Sequence, residues 1–302
     1  MSGIATNRTN FELPNDIANE ILQKTQEGSV IMSLARQIPL PGRGVQIPVI
    51  TSDPTASWVS ETGSKPVSNP GISKKIMQAH KLAVIEPFSD EFRRDLPALY
   101  DALVGRLPGV LAKTFDQTCF FGPASGSLAN FDNFSAVTQA TLEAQVDAPV
   151  YAGVVTADAA ISAAGGVTNG IVLSPQGKSV FLGALDGDKR PLFNNVTENG
   201  ITRVLGAPVS FSAAAYSAGA AAAGSSAAVP DVLGFVGDWA HAMYGVVQGV
   251  RIDYSADATL TLADSSTVNL FQNNMFAVRA EIEIGFVAQT DYFVALTRAH
   301  SA

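Results

Sequence analysis

The sequence is poor in cysteine, histidine and charge, and it has no long apolar run. Cys119 is the only cysteine in 302 residues, which excludes an intrachain disulfide framework and fits a reducing compartment. No stretch reaches the 18 or so uninterrupted apolar residues of a membrane-spanning helix. The polar start, Met1 to Asn10, carries no apolar core of a secretory signal, so none is expected. Only 15% of residues are charged, against about 25% in an ordinary soluble domain, while 47% are hydrophobic. The net charge of −8 argues against gathering nucleic acid by bulk electrostatics. An apolar, sparsely charged chain without membrane spans must cover surface some other way. Subunit contact is one answer, because interface cores are depleted in charge.

What is present reads as α+β. Residues 1–13 form a polar arm, and Pro14-Asn15-Asp16 opens a short helix that Gly28 can stop. Val45, Ile47 and Val49 alternate as a strand, and Pro48 places it at an edge. Thr51 to Pro70 is polar apart from Trp58-Val59, and Ser73 to Pro87 reads as one long strand. Together they predict a long hairpin with a polar tip and no core of its own. Ser89-Asp90-Glu91 is expected to cap a helix that Leu96-Pro97 restarts. Leu96, Leu99, Leu103, Leu107, Val110, Leu111 and Phe115 then make one apolar stripe. This helix is about 37 Å long, kinks at Pro108 and ends at Phe121-Gly122-Pro123.

Residues 136–162 read as weakly helical, 170–173 as a buried strand and 178–185 as a helix. Residues 201–210 read as a strand, and the Ala/Gly/Ser tract at 213–229 as a long loop that hides nothing. Tyr244, Val246, Val250, Ile252 and Tyr254 share a strand face. Phe276, Val278, Ala280, Ile282, Ile284 and Phe286 alternate strictly with Arg279, Glu281 and Glu283. A last strand runs from Tyr292 to Leu296. One long helix laid against antiparallel strands is the expected architecture.

Chemistry-bearing motifs fail one by one. His80, His241 and His300 lack partners at metal-ligand spacing. Gly177-Lys178-Ser179 resembles the end of a phosphate loop, but Val172 stands where its first glycine belongs, and a helix start is the better reading. Asp186-Gly187-Asp188 lacks a bidentate glutamate, since position 197 is Thr197. Ser125 sits one place late for a nucleophile elbow, and Cys119 has no nearby base. The pairs Lys74/Lys75, Arg93/Arg94 and Lys189/Arg190 read as solvated faces or ion-pair partners. No cofactor, metal or catalytic residue is expected.

The order of segments resembles the major capsid proteins of tailed phages that share the Hong Kong 97 fold, from about Leu13 to Ala299. Ala56-Ser57-Trp58-Val59-Ser60-Glu61 is similar to the tip of that family's extended hairpin, the E-loop. Ser89 to Pro97 is similar to the entry of its spine helix, and Asp116 with Phe121 to Gly126 to the exit. Arg190-Pro191-Leu192, Leu205 to Val209, Gly237-Asp238 and Val246 to Tyr254 resemble segments of the axial (A) domain. Asn269-Leu270-Phe271 to Arg279 and Val294 to Leu296 resemble the return to the peripheral (P) domain.

The resemblance implies an arm and short helix at 1–35, the E-loop at 36–87, a P domain at 88–148 and 262–302, and an A domain at 149–261. It implies a non-enzymatic subunit of pentamers and hexamers that close an icosahedral shell around double-stranded DNA, without sequence-specific binding or membrane. Trp58, Val59 and Glu61 are then intersubunit contacts. The alternative for Trp58 is packing on its own hairpin. Leu99, Leu103, Leu107, Leu111 and Phe115 are the apolar stripe of the spine. A portal is an implied partner, and a start at Met1 suggests a separate scaffolding protein. Virion location and assembly in the host cytoplasm follow. Family cross-linking would draw on Lys65, Lys74 or Lys75 and on Asn269, Asn273 or Asn274, but no specific motif accompanies them. An encapsulin-like nanocompartment shell is the nearest alternative. An α+β hydrolase with an unrecognised site and a secreted array protein are further ones.

Overall fold

The computed structural model describes residues 28–52, 54–69, 71–89, 96–142, 149–185, 188, 190–193, 201–222, 227–261 and 265–300. The polar arm and the helix expected near 15–28 lie outside them, except for residue 28. The described chain opens with α1 (Val30–Leu34), capped by Ser29, whose hydroxyl accepts from the Met32 N–H. Then come β1 (Arg36–Pro39), β2 (Val45–Ser52), β3 (Gly71–Met77) and β4 (His80–Ser89). The long strand expected at 73–87 is two strands. Its first half pairs with β2 and its second half joins another sheet, with the break at Gln78-Ala79. β4 runs to Ser89, and the capped helix start expected at 89–91 falls on residues 90–95, outside the described set.

The spine α2 (Leu96–Phe121) runs through Pro108 as one helix. It stops where Gly122, at φ +84°, donates its N–H to the Thr118 carbonyl. Leu107, Leu111 and Phe115 are buried, whereas Val110 is exposed and does not belong to the stripe. Four-residue spacing from Leu107 selects Leu111 and Phe115, and Val110 falls off that row. The side chains of Leu99 and Leu103 lie outside the described set.

The next elements are β5 (Thr138–Thr141), α3 (Pro149–Ala163), β6 (Gly170–Leu173), α4 (Pro175–Leu182), β7 (Arg203–Val204) and β8 (Ala207–Phe211). The helical reading of 136–162 fails at Thr138–Thr141, which is a strand, and holds from Pro149 to 162; residues 143–148 lie outside the described set. The helix expected at 178–185 starts earlier, at Pro175, because Ser174 caps it by accepting from the Gly177 N–H. The single strand expected at 201–210 is a tight hairpin. Leu205 and Gly206 both adopt positive φ, the geometry of a two-residue turn between antiparallel strands. β9 (Asp231–Gly237), β10 (Ala242–Ser255), β11 (Thr259–Thr261), β12 (Thr267–Asn269), β13 (Met275–Ala288) and β14 (Phe293–Arg298) complete the chain.

The strands form a four-stranded sheet, β1-β10-β13-β4, a six-stranded sheet, β5-β14-β9-β6-β8-β7, and two isolated hairpins, β2-β3 and β11-β12. Most pairings are antiparallel; β1 with β10, β5 with β14 and β6 with β8 are parallel. The sheets do not follow the boundaries read from the sequence. β10, from segment 149–261, sits in the four-stranded sheet. β5 and β14, from the flanking segments, sit in the six-stranded sheet.

The packing follows the strand patterns. The apolar face of β13 (Phe276, Val278, Ala280, Ile282) packs with Val250 against Leu107 and Leu111 of the spine. Its other face carries a charge ladder: Lys81 pairs with Glu283 at 3.1 Å, and Arg279 with Asp253 and Glu281. The six-stranded sheet is covered on both faces, so β6 is buried at every position. On one face Val150, Val154 and Ile161 of α3 and Phe181 of α4 pack on Ile171, Leu173, Val294 and Leu296. On the other, Val172, Phe235 and Phe293 join Tyr244, Ile284 and Phe286 of the four-stranded sheet and Phe115 and Phe120 of the spine. This aromatic junction ties both sheets to one helix.

The Ala/Gly/Ser tract is not a loop that hides nothing. Ala214 and Ala215 are buried in the aromatic junction. The bridge Ala220–Val229 joins two points of the tract, and Ser217–Val232 pairs it with β9. The Gly219 N–H donates to Asp231 Oδ1 at 2.7 Å, and Asp231 also binds Arg298 and His300 near the C-terminus. Small side chains let this backbone approach closely: a Cβ on Gly219 would lie 2.0 Å from the Val229 carbonyl oxygen.

Candidate assembly surfaces

The hairpin β2-β3 pairs with neither sheet, and only its root face, Val45, Ile47 and Met77, packs on Met243 and Val287 of the four-stranded sheet. Two strands alone are marginally stable in water, so they need another surface. Val45 pairs with Met77 and Ile47 with Lys75, while Gln46, Pro48, Ile72, Lys74 and Ile76 belong to the opposite face. Among the described residues nothing covers that face. Ile72 is 74% exposed and Ile76 41%. Between the strands, residues 54–69 make few internal bonds. The Thr55 N–H donates to the Ser68 hydroxyl at 2.8 Å, and the Gly63 N–H closes a turn on the Ser60 carbonyl.

Trp58 stands at this tip with 105% relative exposure. It does not pack on its own hairpin. Val59 and Glu61 are exposed beside it, and Val67 is 90% exposed. Burying an indole removes roughly 150–250 Å² from water, worth about 4–6 kcal/mol at 25 cal/mol/Å². Nothing among the described residues collects that free energy. The spine residues play another part. Leu107, Leu111 and Phe115 face the body's own sheets and offer nothing to a partner.

At the root, Lys75 is committed within the chain. Its Nζ donates to Asp132 Oδ2 at 2.8 Å and to the Ala288 carbonyl at 2.6 Å. Sequence spacing shows a basic pair at 74–75 and gives no sign that one member reaches across to residue 132.

The start of the described chain is anchored on the spine by Asp116. The Ser29 hydroxyl donates to Oδ1 at 2.5 Å, the Val30 N–H to Oδ2 at 3.0 Å and the Ile31 N–H to Oδ1 at 3.4 Å. Burial pushes the Asp116 pKa up from 3.8 to about 6, although these donors and the Ser212 side chain pull it down. A carboxyl shifted upward by folding favours the protonated form in the fold. Its contribution is therefore present below about pH 4 and lost as pH rises through about 6. The amide introduced by Asp116→Asn does not titrate. Denaturant titrations of wild type and Asp116→Asn should show the difference moving in favour of wild type by on the order of 2–3 kcal/mol from pH 7.5 to pH 4. A difference that is constant with pH, or that moves the other way, would contradict this account of the anchor.

Cys119, His80, His241 and Asp238 sit in structural roles. Cys119 is fully buried, and burial, with the Asp116 charge second, raises its thiol pKa well above the ordinary value. His80 Nε2 bonds the Ala129 carbonyl at 2.8 Å, and His241 stacks on Tyr292 with ring centroids 3.8 Å apart. Asp238 caps the short turn Trp239–His241 and binds the Asn169 amide at 2.7 Å. Among the described residues no three His, Cys, Asp or Glu side chains converge as a metal site. No helix among them is long and apolar enough to cross a membrane.

Comparison with known proteins gives the family and the fold. Residues 10–297 match the model of the phage capsid family. The probable major capsid protein gp17 of Mycobacterium phage L5 is 28% identical over 93% of this chain and 87% of its own. The major capsid protein of Staphylococcus phage 80alpha is 21% identical over 95% of this chain and 85% of its own. A solved structure from Gordonia phage Cozz superposes with a TM-score of 0.70 at 22% identity, covering 90% of this chain and 87% of that one. The capsid of a native GTA particle superposes at 0.62 and 14% identity, covering 99% and 96%. With a spine helix against a four-stranded sheet, a separate six-stranded sheet and a projecting hairpin, this chain belongs to the phage capsid family and has its Hong Kong 97-like fold.

Proposed function

We propose that the chain is the major capsid protein of a tailed phage or prophage, and that it builds the pentamers and hexamers of an icosahedral shell around double-stranded DNA. The observation that carries this reading is the fully exposed Trp58 on a hairpin without a private core, in a chain of a capsid family. The protein works by assembly geometry and not by catalysis. The spine and the four-stranded sheet act as the P domain, a rigid plank. The six-stranded sheet and its helices act as the A domain around capsomer axes. The hairpin reaches over a neighbouring subunit, where Trp58, Val59 and Glu61 make contact. Each contact can be weak because closure engages many at once. Assembly occurs in the host cytoplasm with a separate scaffolding protein and a portal. The net charge of −8 suits a wall that holds packaged DNA without binding it tightly.

The test is to express the chain with and without the products of neighbouring genes and to follow it by sedimentation and electron microscopy. Closed shells of one size are expected in at least one condition. Monomers in every condition would overturn the reading.

A further inference from the structure

The root of the hairpin crosses the four-stranded sheet at one spot. Gly245 of β10 and Gly285 of β13 are register partners there. A Cβ on Gly245 would lie 2.7 Å from Leu40 Cβ, and one on Gly285 would lie 2.6 Å from the Gln78 carbonyl oxygen. The paired glycines thus form a notch in which both legs of the hairpin sit. Met77, fully buried, packs there with Leu40, Met243 and Val287. Gly44, at φ +82°, turns the chain into β2 against the Met77 carbonyl.

A notch sets where the hairpin crosses, but two legs over glycine can still swing. Lys75 supplies the second fixed point. Its ammonium bridges Asp132 Oδ2 and the Ala288 carbonyl, and the Ala288 N–H donates to the same Asp132 oxygen at 3.0 Å. Asp132 is itself pinned, because its N–H donates to the Phe286 carbonyl. The end of β13, the loop after the spine and the hairpin therefore meet at one charged knot. Lever arithmetic shows why this matters. β2 has eight residues, about 26 Å at 3.3 Å each. A swing of about 10° at the root would move the far end by about 4–5 Å, as much as the whole range of an apolar contact.

We propose that Lys75, acting with the Gly245–Gly285 notch, is the positioning residue that fixes the direction of the hairpin and hence the curvature of the shell. This rests on the shell-subunit reading above. Lys75→Met keeps most of the aliphatic stem and removes the charge. Asp132→Asn weakens the same knot from the other side. Both variants are expected to melt within a few degrees of wild type, to assemble in several-fold lower yield, and to give shells of mixed diameter or open sheets. Lys75→Arg, which can still reach both acceptors, is expected to restore shells of one diameter. The experiment is cryo-electron microscopy and sedimentation of the four proteins expressed under identical conditions. Lys75→Met and Asp132→Asn shells with wild-type yield and one wild-type diameter would overturn the proposal. So would failure of both variants to fold, which would make the knot a folding element. Absence of shells from wild type is a different outcome, and it would count against the shell reading itself.

Discussion

Trp58→Ala is expected to leave the subunit folded and to stop it assembling at concentrations where wild type closes shells. The indole is fully exposed, so its removal from the isolated subunit should change unfolding free energy by no more than about 0.5 kcal/mol. In the shell the same side chain is proposed to be an anchor. Buried tryptophans are typical interface hot spots, worth about 2 kcal/mol or more when truncated. At 1.4 kcal/mol per factor of ten, a loss of that size weakens each contact about 30-fold. Shell closure multiplies the loss, since every subunit carries the hairpin. The critical concentration for assembly, measured by sedimentation, should rise at least about tenfold, with Trp58→Phe between alanine and wild type. An unchanged critical concentration would show that the tip is not a contact.

Phe134→Ala is expected to have the largest effect on the subunit itself. Phe134 lies in the aromatic junction, with ring centroids 4.5 Å from Phe293, 5.6 Å from Phe286, 5.9 Å from Phe235 and 6.3 Å from Phe120. Those four rings come from β14, β13, β9 and the spine, so one side chain touches both sheets and the helix. Truncating a buried phenylalanine costs about 3–5 kcal/mol, a large share of the 5–15 kcal/mol that holds a typical domain. Denaturant unfolding should show one transition shifted to lower denaturant, with buried-tryptophan fluorescence and far-ultraviolet circular dichroism moving together. Two separated transitions, one of them unshifted, would show that the sheets fold independently and that the junction does not couple them.

The most legible parts of the fold were those where one face alone is buried. β13 alternates strictly because its apolar face meets the spine and its charged ladder meets water. The spine announced itself through four-residue spacing, and its stop through Gly122. What the sequence hid was set by contacts far along the chain. The break between β3 and β4 falls at Gln78-Ala79, which is no turn signature. It exists because the chain there crosses the notch at Gly245 and Gly285. The β7-β8 turn hid behind Leu205, a residue type that rarely adopts the positive φ found there. The Ala/Gly/Ser tract looked empty because it has little side-chain surface. That same smallness lets its backbone pack against Val229 and tuck Ala214 and Ala215 into the junction.

The candidate site divides in the same way. Trp58, alone in a polar stretch, stands out in the sequence as a large apolar side chain without a partner. Asp116 was visible only as an acid on the spine, since Ser29 lies 87 residues away. Lys75 looked like a solvated base until Asp132 and the end of β13 were placed beside it.

Trp58 is open in the free subunit and is proposed to be covered in the shell. The chain has two tryptophans, and Trp239 is buried in the junction. Acrylamide quenching of tryptophan fluorescence therefore reads Trp58 against a silent partner. In unassembled subunits an accessible, red-shifted fraction should be quenched. In assembled shells that fraction should vanish and the emission should shift to shorter wavelength. Shells in which one tryptophan is quenched as freely as in the isolated subunit would contradict the account.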